Sequence, residues 1–244
     1  MSVWTVALAA LGTALATGLG ALPFVGRARA SAGWLGAADA IAAGVMFAAT
    51  VSLTLEGGDR ALGRMLAGVA AGIAFVVVAR RWLTNHGATE FGELRGRDAH
   101  RGVLMIAVMT VHSFAEGAGV GAAFAGGERF GLVIALAIAI HNIPEGLAIS
   151  LVLVPHGASV RTAAVWSVVS SLPQPLVAVP AFLFVETFSA LLPVALGFAG
   201  GAMFWIGARD LVPDALDHSS PLPVAAAATA AFASMLAFQL LLLA

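Results

Sequence analysis

The 244-residue chain is 60% hydrophobic and 10% charged, with a mean hydropathy of +0.98, which excludes a soluble globular domain and indicates an integral membrane protein. The net charge of −1, without any basic tract, argues against nucleic acid as a partner. All 12 basic residues are arginine and cysteine is absent, so disulfides and thiolate metal ligands are excluded. Any bound metal must be held by nitrogen and oxygen atoms.

Apolar runs along the chain predict an all-α, polytopic membrane protein that forms a single transmembrane domain over residues 1–244. A spanning helix needs about 20 apolar residues, so the length leaves room for about eight spans and no soluble domain. The first run lacks a preceding basic region and is interpreted as a retained helix, not a signal peptide. The predicted spans cover residues 3–25, 34–55, 62–83, 103–124, 130–154, 160–185, 191–211 and 222–243.

Arginine distribution predicts the orientation in the cytoplasmic membrane. One side holds three arginines, namely Arg60, Arg64 and Arg129. The other side holds nine, namely Arg27, Arg29, Arg80, Arg81, Arg95, Arg97, Arg101, Arg161 and Arg209. By the positive-inside rule the nine are cytoplasmic, so both termini are extracytoplasmic. The polar residues 84–101 are then interpreted as a flexible cytoplasmic loop.

A short internal sequence similarity suggests inverted repeats. Residues 43–47, Ala-Gly-Val-Met-Phe in span two, resemble residues 200–204, Gly-Gly-Ala-Met-Phe in span seven. Spans one to three and six to eight are then repeats that flank spans four and five. The offset of five spans is odd, so the repeats have opposite orientations, as in many secondary transporters.

Two ionisable pairs interrupt neighbouring apolar runs: His112 with Glu116 in span four, and His141 with Glu145 in span five. Charged side chains inside a span cost several kcal/mol, so such a cluster predicts a functional site. Residues i and i+4 share a helix face, so each span presents one imidazole and one carboxylate to the same side. Two adjacent helices would form a four-ligand site near the membrane midplane.

The two nitrogen and two oxygen ligands favour Zn²⁺, with Fe²⁺ or Mn²⁺ as alternatives. The two carboxylates would neutralise a divalent ion, which is otherwise prohibitively costly at membrane depth. Pro144 cannot donate to the carbonyl of Ile140, so a backbone oxygen beside His141 is freed. That oxygen could also face an ion.

Two further polar regions are candidates for a metal pathway. Span six contains residues 170–175, Ser-Ser-Leu-Pro-Gln-Pro, and a proline-broken helix at membrane depth is tolerated where it lines a cavity. Gln174 is therefore a candidate contributor from a third helix, although amides also join helices without any ion. Asp210 and Asp214 end span seven, where a solvated polar cap and an ion-attracting vestibule are the two alternatives.

The stretch from His141 to Gly146, His-Asn-Ile-Pro-Glu-Gly, resembles the signature of the ZIP (Zrt/Irt-like) divalent metal transporters of the bacterial broad-specificity branch. Residues 111–117 resemble its companion in the preceding helix, and the similarity extends to residues 42–46 and 210–214. The resemblance implies eight helices, both termini outside, and metal import into the cytoplasm.

The resemblance also implies a second metal position beside the first, but this chain departs from the family pattern there. Ser113 replaces an asparagine and Gln174 replaces a glutamate. The secondary set would be Ser113, Asn142 and Gln174 with the two shared glutamates. Because negative charge has been lost, we expect one well-formed site and a weak or absent second one.

The sequence favours inward transport of Zn²⁺ over two alternatives. An intramembrane zinc hydrolase needs an open coordination position and a general base, and no motif places them here. A membrane protein with a purely structural metal is the second alternative, and the sequence does not decide against it. The sequence also leaves the oligomeric state open, with a homodimer among the alternatives. The predicted partners are the divalent ion and the lipid bilayer.

Overall fold

The computed structural model describes residues 2–26, 31–86, 90–91 and 94–243, which are almost entirely helical. The N-terminal half contains the helices Val3–Thr17, Ala32–His86 and Gly96–Ala125, a 3-10 helix Gly18–Phe24, and two short strands, Glu90–Phe91 and Leu94–Arg95. The C-terminal half contains the helices Glu128–Leu153, Val160–Ser171, Pro173–Leu183, Val185–Ile206, Val212–His218 and Pro221–Leu243, with a π-helical turn at Gly207–Leu211.

Eight helical segments among the described residues are long and apolar enough to cross a membrane, as the sequence predicted. We number them as spans 1 to 8. Their bounds are Val3–Phe24, Ala32–Leu55, Ala61–Trp82, Gly96–Ala125, Glu128–Leu153, Val160–Leu183, Ala190–His218 and Pro221–Leu241. Leu8, Leu15 and Leu22 of span 1 are exposed, as expected for side chains that contact lipid.

Three local features decide the path of the spans. Spans 2 and 3 are two helices that meet at Ala61, where the backbone is not helical and φ is −169° and ψ is 88°. Span 5 is an uninterrupted helix through Pro144, whereas the hydrogen-bonded helix of span 6 is interrupted at Leu172, just before Pro173. The predicted break in span 6 is therefore present in the structure.

The predicted loop over residues 84–101 is more regular than we expected. The helix of span 3 continues to His86, and the helix of span 4 already begins at Gly96. Between them, Glu90 pairs with Arg95 and Phe91 with Leu94 in an antiparallel ladder. Residues 87–89 and 92–93 of the predicted loop, like Arg27 and Arg29 of the orientation argument, lie outside the described residues.

Glycines bring the backbones of particular spans close together. A Cβ on Gly146 of span 5 would lie 1.7 Å from the Thr17 carbonyl oxygen of span 1, and one on Gly117 of span 4 would lie 2.6 Å from the Gln174 carbonyl oxygen of span 6. A Cβ on Gly44 of span 2 would lie 2.2 Å from the backbone of Ala228 in span 8. Only glycine permits such close approach.

These contacts support the predicted inverted repeats. In the predicted repeat, span 1 corresponds to span 6, span 2 to span 7, span 3 to span 8, and span 4 to span 5. With this correspondence, two pairs of observed packings become equivalent. Span 1 packs on span 5 and span 6 on span 4, while span 2 packs on span 8 and span 7 on span 3. The equivalent residues Phe47 and Phe204 contact each other, with ring centroids 5.7 Å apart, as expected near a two-fold axis. The repeat stays a prediction that these packings favour.

Candidate metal centre

Spans 4 and 5 lie side by side and direct their four ionisable side chains toward one another. His112 and Glu116 project from span 4, and His141 and Glu145 from span 5, in each case from positions one helical turn apart. All four residues are buried, none being more than 7% exposed. We refer to these four side chains as the His/Glu cluster.

The shortest distances in the cluster join the two helices. His112 Nε2 lies 2.9 Å from Glu145 Oε1, and His141 Nε2 lies 3.5 Å from the same oxygen. Glu116 Oε1 lies 3.5 Å from His112 Nε2. Ligand atoms of His112, His141 and Glu145 all lie within 4.8 Å of one another. Glu116 is not part of that group of three, although its Oε1 faces His112.

Several buried atoms of the cluster make no hydrogen bond of good geometry, although His112 Nε2 and Glu145 Oε1 lie within ion-pair distance. They include the Nε2 atoms of both histidines and the Oε1 atoms of both glutamates. Buried polar atoms normally have partners, and an unsatisfied one costs about 1–3 kcal/mol. Two imidazole nitrogens and two carboxylate oxygens that face one another form a set of ligand atoms suited to a divalent metal ion.

Glu116 is also part of a hydrogen-bonded chain that crosses four spans. Gln174 Nε2 of span 6 donates to Glu116 Oε2. Gln174 Oε1 accepts from Asn142 Nδ2 of span 5 at 3.2 Å and from the Thr13 hydroxyl of span 1, whose oxygen also lies 2.6 Å from the Ala10 carbonyl oxygen. Asn142 Nδ2 additionally donates to the Thr13 carbonyl oxygen at 2.8 Å. We call Thr13, Asn142, Gln174 and Glu116 the amide chain.

The secondary residues are all buried beside the cluster, but most of their polar atoms are already engaged. Gln174 is fully buried, and both ends of its amide have partners. Ser113 Oγ and Asn142 Oδ1 are buried without partners. The expectation of a weak second metal position remains a prediction, and the hydrogen-bonding of Gln174 favours it.

Asp210 and Asp214 lie away from the His/Glu cluster, at the end of span 7. Arg80 of span 3 donates to Asp210 Oδ1 at 2.6 Å, and Arg101 of span 4 forms an ion pair with Asp214. Each carboxylate thus has an arginine counterion. In this conformation the two aspartates are engaged with protein groups and do not form an open metal site.

A cavity of about 260 Å³ connects the cluster with one end of the molecule. Glu116 and His141 line its inner part, and Phe130 and Ile134 from the first turns of span 5 line its outer part. Ser52 and Gln239 add polar groups, and Ser52 Oγ donates to Gln239 Oε1 at 2.6 Å. The cavity therefore opens at the end where span 4 is joined to span 5.

The opposite end of the cluster is closed by apolar side chains. Met109 and Ile149 belong to the main hydrophobic core, as do Met105 and Ile206, which lie nearer the ion pairs. The two Arg–Asp pairs lie beyond this apolar layer. In the part of the chain that the structure describes, the cavity thus lies on one side of the cluster, and apolar side chains followed by ion pairs lie on the other.

Three polar residues in the spans escaped the sequence prediction. Thr13 and Thr17 lie one turn apart on the buried face of span 1, and Thr17 Oγ1 lies 2.8 Å from Ser171 Oγ of span 6. Asp39 of span 2 is buried, with one oxygen 3.8 Å from His218 Nδ1. The available signal was a threonine pair at i, i+4 spacing and a single acid within an apolar run.

Comparison with known proteins adds independent information. The family model described as ZIP zinc transporter matches residues 85–243. An Arabidopsis thaliana protein, named provisionally as a zinc transporter, is 47% identical over 99% of this chain and 39% of its own length. Zinc transporter GufA of Myxococcus xanthus is 33% identical over 64% of this chain and 63% of its own length.

A third relative matches most of both chains. Zinc transporter ZIPB of Bordetella bronchiseptica is 31% identical over 91% of this chain and 76% of its own length. By contrast, the chain spans less than two thirds of the length of the plant protein and of GufA. The similarity to the plant protein and to ZIPB therefore extends over nearly the whole chain.

Proposed function

Because this chain belongs to the ZIP zinc transporter family, we propose that it carries Zn²⁺ across a membrane through the His/Glu cluster. The observation that carries the proposal is the convergence of buried nitrogen and oxygen atoms on spans 4 and 5, which contact one another but make no well-formed hydrogen bonds to other groups. His112, His141 and Glu145 would each supply one ligand atom, and Glu116 would supply the fourth. The protein is a multi-pass membrane protein, so an ion held there lies within the bilayer.

The charge of the cluster suits a divalent ion. Two ionised glutamates and two neutral histidines carry a charge of −2, which balances one divalent cation. Such a balance matters at this depth, because an uncompensated charge in a low-dielectric environment is far more costly than in water. The same ligand set also accepts Fe²⁺ and Mn²⁺, which we propose as competing substrates.

The shape of the interior supports import. The cavity reaches His141 and Glu116 from the end that bears Glu128 and Phe130, which the arginine distribution assigns to the outside. The apolar layer and the Arg–Asp pairs close the other end, which bears most of the arginines. We therefore propose that the structure represents a state that loads metal from the extracytoplasmic side and releases it into the cytoplasm after rearrangement.

An enzymatic role has less support. A zinc hydrolase keeps an open ligand position for water and a general base beside it. Here the two glutamates closest to the histidines are needed to neutralise the ion. A purely structural metal is the second alternative, and it predicts a bound ion that does not exchange across the membrane.

Uptake into proteoliposomes tests the proposal. The unaltered protein should move Zn²⁺ into vesicles that contain a zinc-sensitive dye, and Fe²⁺ or Mn²⁺ should compete. His112→Ala should abolish uptake, because it removes a ligand whose Nε2 is 2.9 Å from Glu145 Oε1. His156→Ala is the matched control, since His156 lies outside the cluster near Asp98. Tight zinc binding without any flux would instead indicate a structural metal.

A further inference from the structure

The amide chain fixes the orientation of the Gln174 side chain. The Thr13 carbonyl oxygen can only accept a hydrogen bond, so the Asn142 atom 2.8 Å away must be its amide nitrogen. That nitrogen also lies 3.2 Å from the Gln174 side chain, which must therefore present its oxygen to Asn142. The Gln174 amide nitrogen is left to face Glu116, and it donates to Glu116 Oε2.

The two oxygens of Glu116 consequently have different roles. Oε2 accepts from an amide, whereas Oε1 is buried, has no hydrogen-bond partner, and lies 3.5 Å from His112 Nε2. A hydrogen bond to one oxygen directs the other toward the cluster. It also places an N–H donor where a second cation beside Glu116 would otherwise be bound.

We propose that Thr13, Asn142 and Gln174 are positioning residues that hold Glu116 as a ligand through Oε1 alone and so restrict the site to one ion. The inference rests on the proposed function, in that the ion bound at the His/Glu cluster is the transported one. None of the three residues needs to touch that ion. They act through the glutamate, as groups behind metal ligands commonly do.

The arrangement also links the site to the packing of the bundle. Thr13 belongs to span 1, Glu116 to span 4, Asn142 to span 5 and Gln174 to span 6. Span 1 approaches span 5 closely through Gly146, and span 6 approaches span 4 through Gly117. Because these backbones are in contact, the four polar groups are held at fixed separations before any metal arrives. The chain is therefore preorganised.

The structure offers a matched control for Thr13. Thr17 lies one turn further along span 1, is equally buried at 1% exposure, and also contacts span 6 by a hydroxyl hydrogen bond, to Ser171. It has no hydrogen bond to the amide chain among those described. Thr13→Val and Thr17→Val therefore remove the same group from the same face, and Thr13→Ser keeps the hydroxyl.

Equilibrium binding in detergent, with Zn²⁺ and with Co²⁺ as a spectroscopic probe, tests the proposal. The unaltered protein should bind one ion per chain. Gln174→Leu should lower affinity by about ten- to a hundred-fold, the usual effect of removing a group behind a ligand. It should also weaken the visible absorption of bound Co²⁺, because Glu116 then binds through both oxygens and raises the coordination number.

The threonine variants separate positioning from packing. Thr13→Val should lower affinity by about two- to ten-fold, the range for one neutral hydrogen bond, while Thr13→Ser and Thr17→Val should not. Equal losses in both valine variants would overturn the proposal, as would unchanged affinity and Co²⁺ spectrum in Gln174→Leu. If Gln174→Leu does not fold, the threonine series decides. If the unaltered protein binds one ion, His112→Ala abolishes that binding, and no flux is measured, the proposed function is refuted. The inference about the positioning residues would still hold in that case.

Discussion

At the scale of single residues, the atoms of the His/Glu cluster that face one another lack well-formed hydrogen bonds. Buried imidazole and carboxylate groups usually form well-aligned hydrogen bonds, and here the Nε2 and Oε1 atoms contact only one another, without such geometry. The neighbouring Gln174, Asn142 and Thr13, in contrast, form hydrogen bonds with one another. We propose that the first group of polar atoms binds an ion and that the second group holds the first in position.

We expect metal affinity to fall as the pH is lowered. Imidazole binds a metal only when neutral and carboxylate only when ionised, so protons compete with the ion at every ligand. Lowering the pH from about 7.5 to about 5.5 should therefore reduce the apparent Zn²⁺ affinity by at least about ten-fold. Calorimetry in buffers of different ionisation enthalpy should show proton release on binding.

Constant affinity over that pH interval would contradict the proposed ligand set. The double variant Glu116→Gln, Glu145→Gln serves as the control, because it keeps both histidines but removes the charge that balances the ion. It should bind Zn²⁺ weakly at every pH. Tight binding by this variant would place the metal elsewhere in the chain.

Gln174→Glu should create a second metal position. A carboxylate at residue 174 cannot donate to Glu116 Oε2, so two negative groups would face each other at low dielectric. A second cation beside them relieves that repulsion. Titration should therefore give two Zn²⁺ per chain in Gln174→Glu but one in Gln174→Leu, which lacks the charge. Two equally tight ions in the unaltered protein would contradict this expectation.

At the scale of elements, glycines determine which spans can meet. Gly146 directly follows Glu145, and its missing side chain allows the Thr17 carbonyl of span 1 to approach span 5. Gly117 plays the same part beside Glu116 for span 6. Each glutamate of the cluster is thus followed by the glycine that brings a neighbouring span against it.

Gly146→Ala should destabilise the protein. A methyl group there would lie 1.7 Å from the Thr17 carbonyl oxygen, a backbone atom that cannot rotate away. Overpacking of this kind costs about 1–3 kcal/mol, which exceeds the gain of up to about 1 kcal/mol from higher helix propensity. Thermal unfolding in detergent measures the effect.

Gly12→Ala is the control for this substitution. Gly12 lies in span 1 with nothing within 4 Å of the added methyl group. Its replacement should leave the melting temperature unchanged or slightly higher, because alanine is the better helix former. If the Gly146→Ala protein had the same melting temperature as the Gly12→Ala and unaltered proteins, spans 1 and 5 would not be closely packed.

At the scale of the whole molecule, the two ends of the His/Glu cluster differ among the described residues. The cavity leads from the His/Glu cluster to the end near Phe130. The apolar layer that includes Met105 and Ile206, followed by the Arg–Asp pairs, covers the other end. The proposed transport would therefore require a second arrangement of the same helices, in which the cluster is open at the other end and closed at this one.

The orientation can be measured directly, because the chain has no cysteine of its own. Glu128 and Pro155 are both exposed and lie at opposite ends of span 5. With the termini outside, Glu128→Cys should react with a membrane-impermeant maleimide in intact cells, and Pro155→Cys only after permeabilisation. The reverse pattern would overturn the arginine-based orientation and, with it, the proposed direction of transport.

The sequence by itself determined the spans and predicted the four candidate ligands. Hydropathy depends on local composition, so all eight spans could be located, and i, i+4 spacing is a property of one helix, so each His–Glu pair was known to share a face. Only the tertiary structure decided that Asp210 and Asp214 are paired with arginines and that Thr13 contacts Gln174, 161 residues away. Such contacts depend on which spans become neighbours, which is set by close backbone packing at glycines such as Gly146 and Gly117. No local pattern along the chain encodes that pairing.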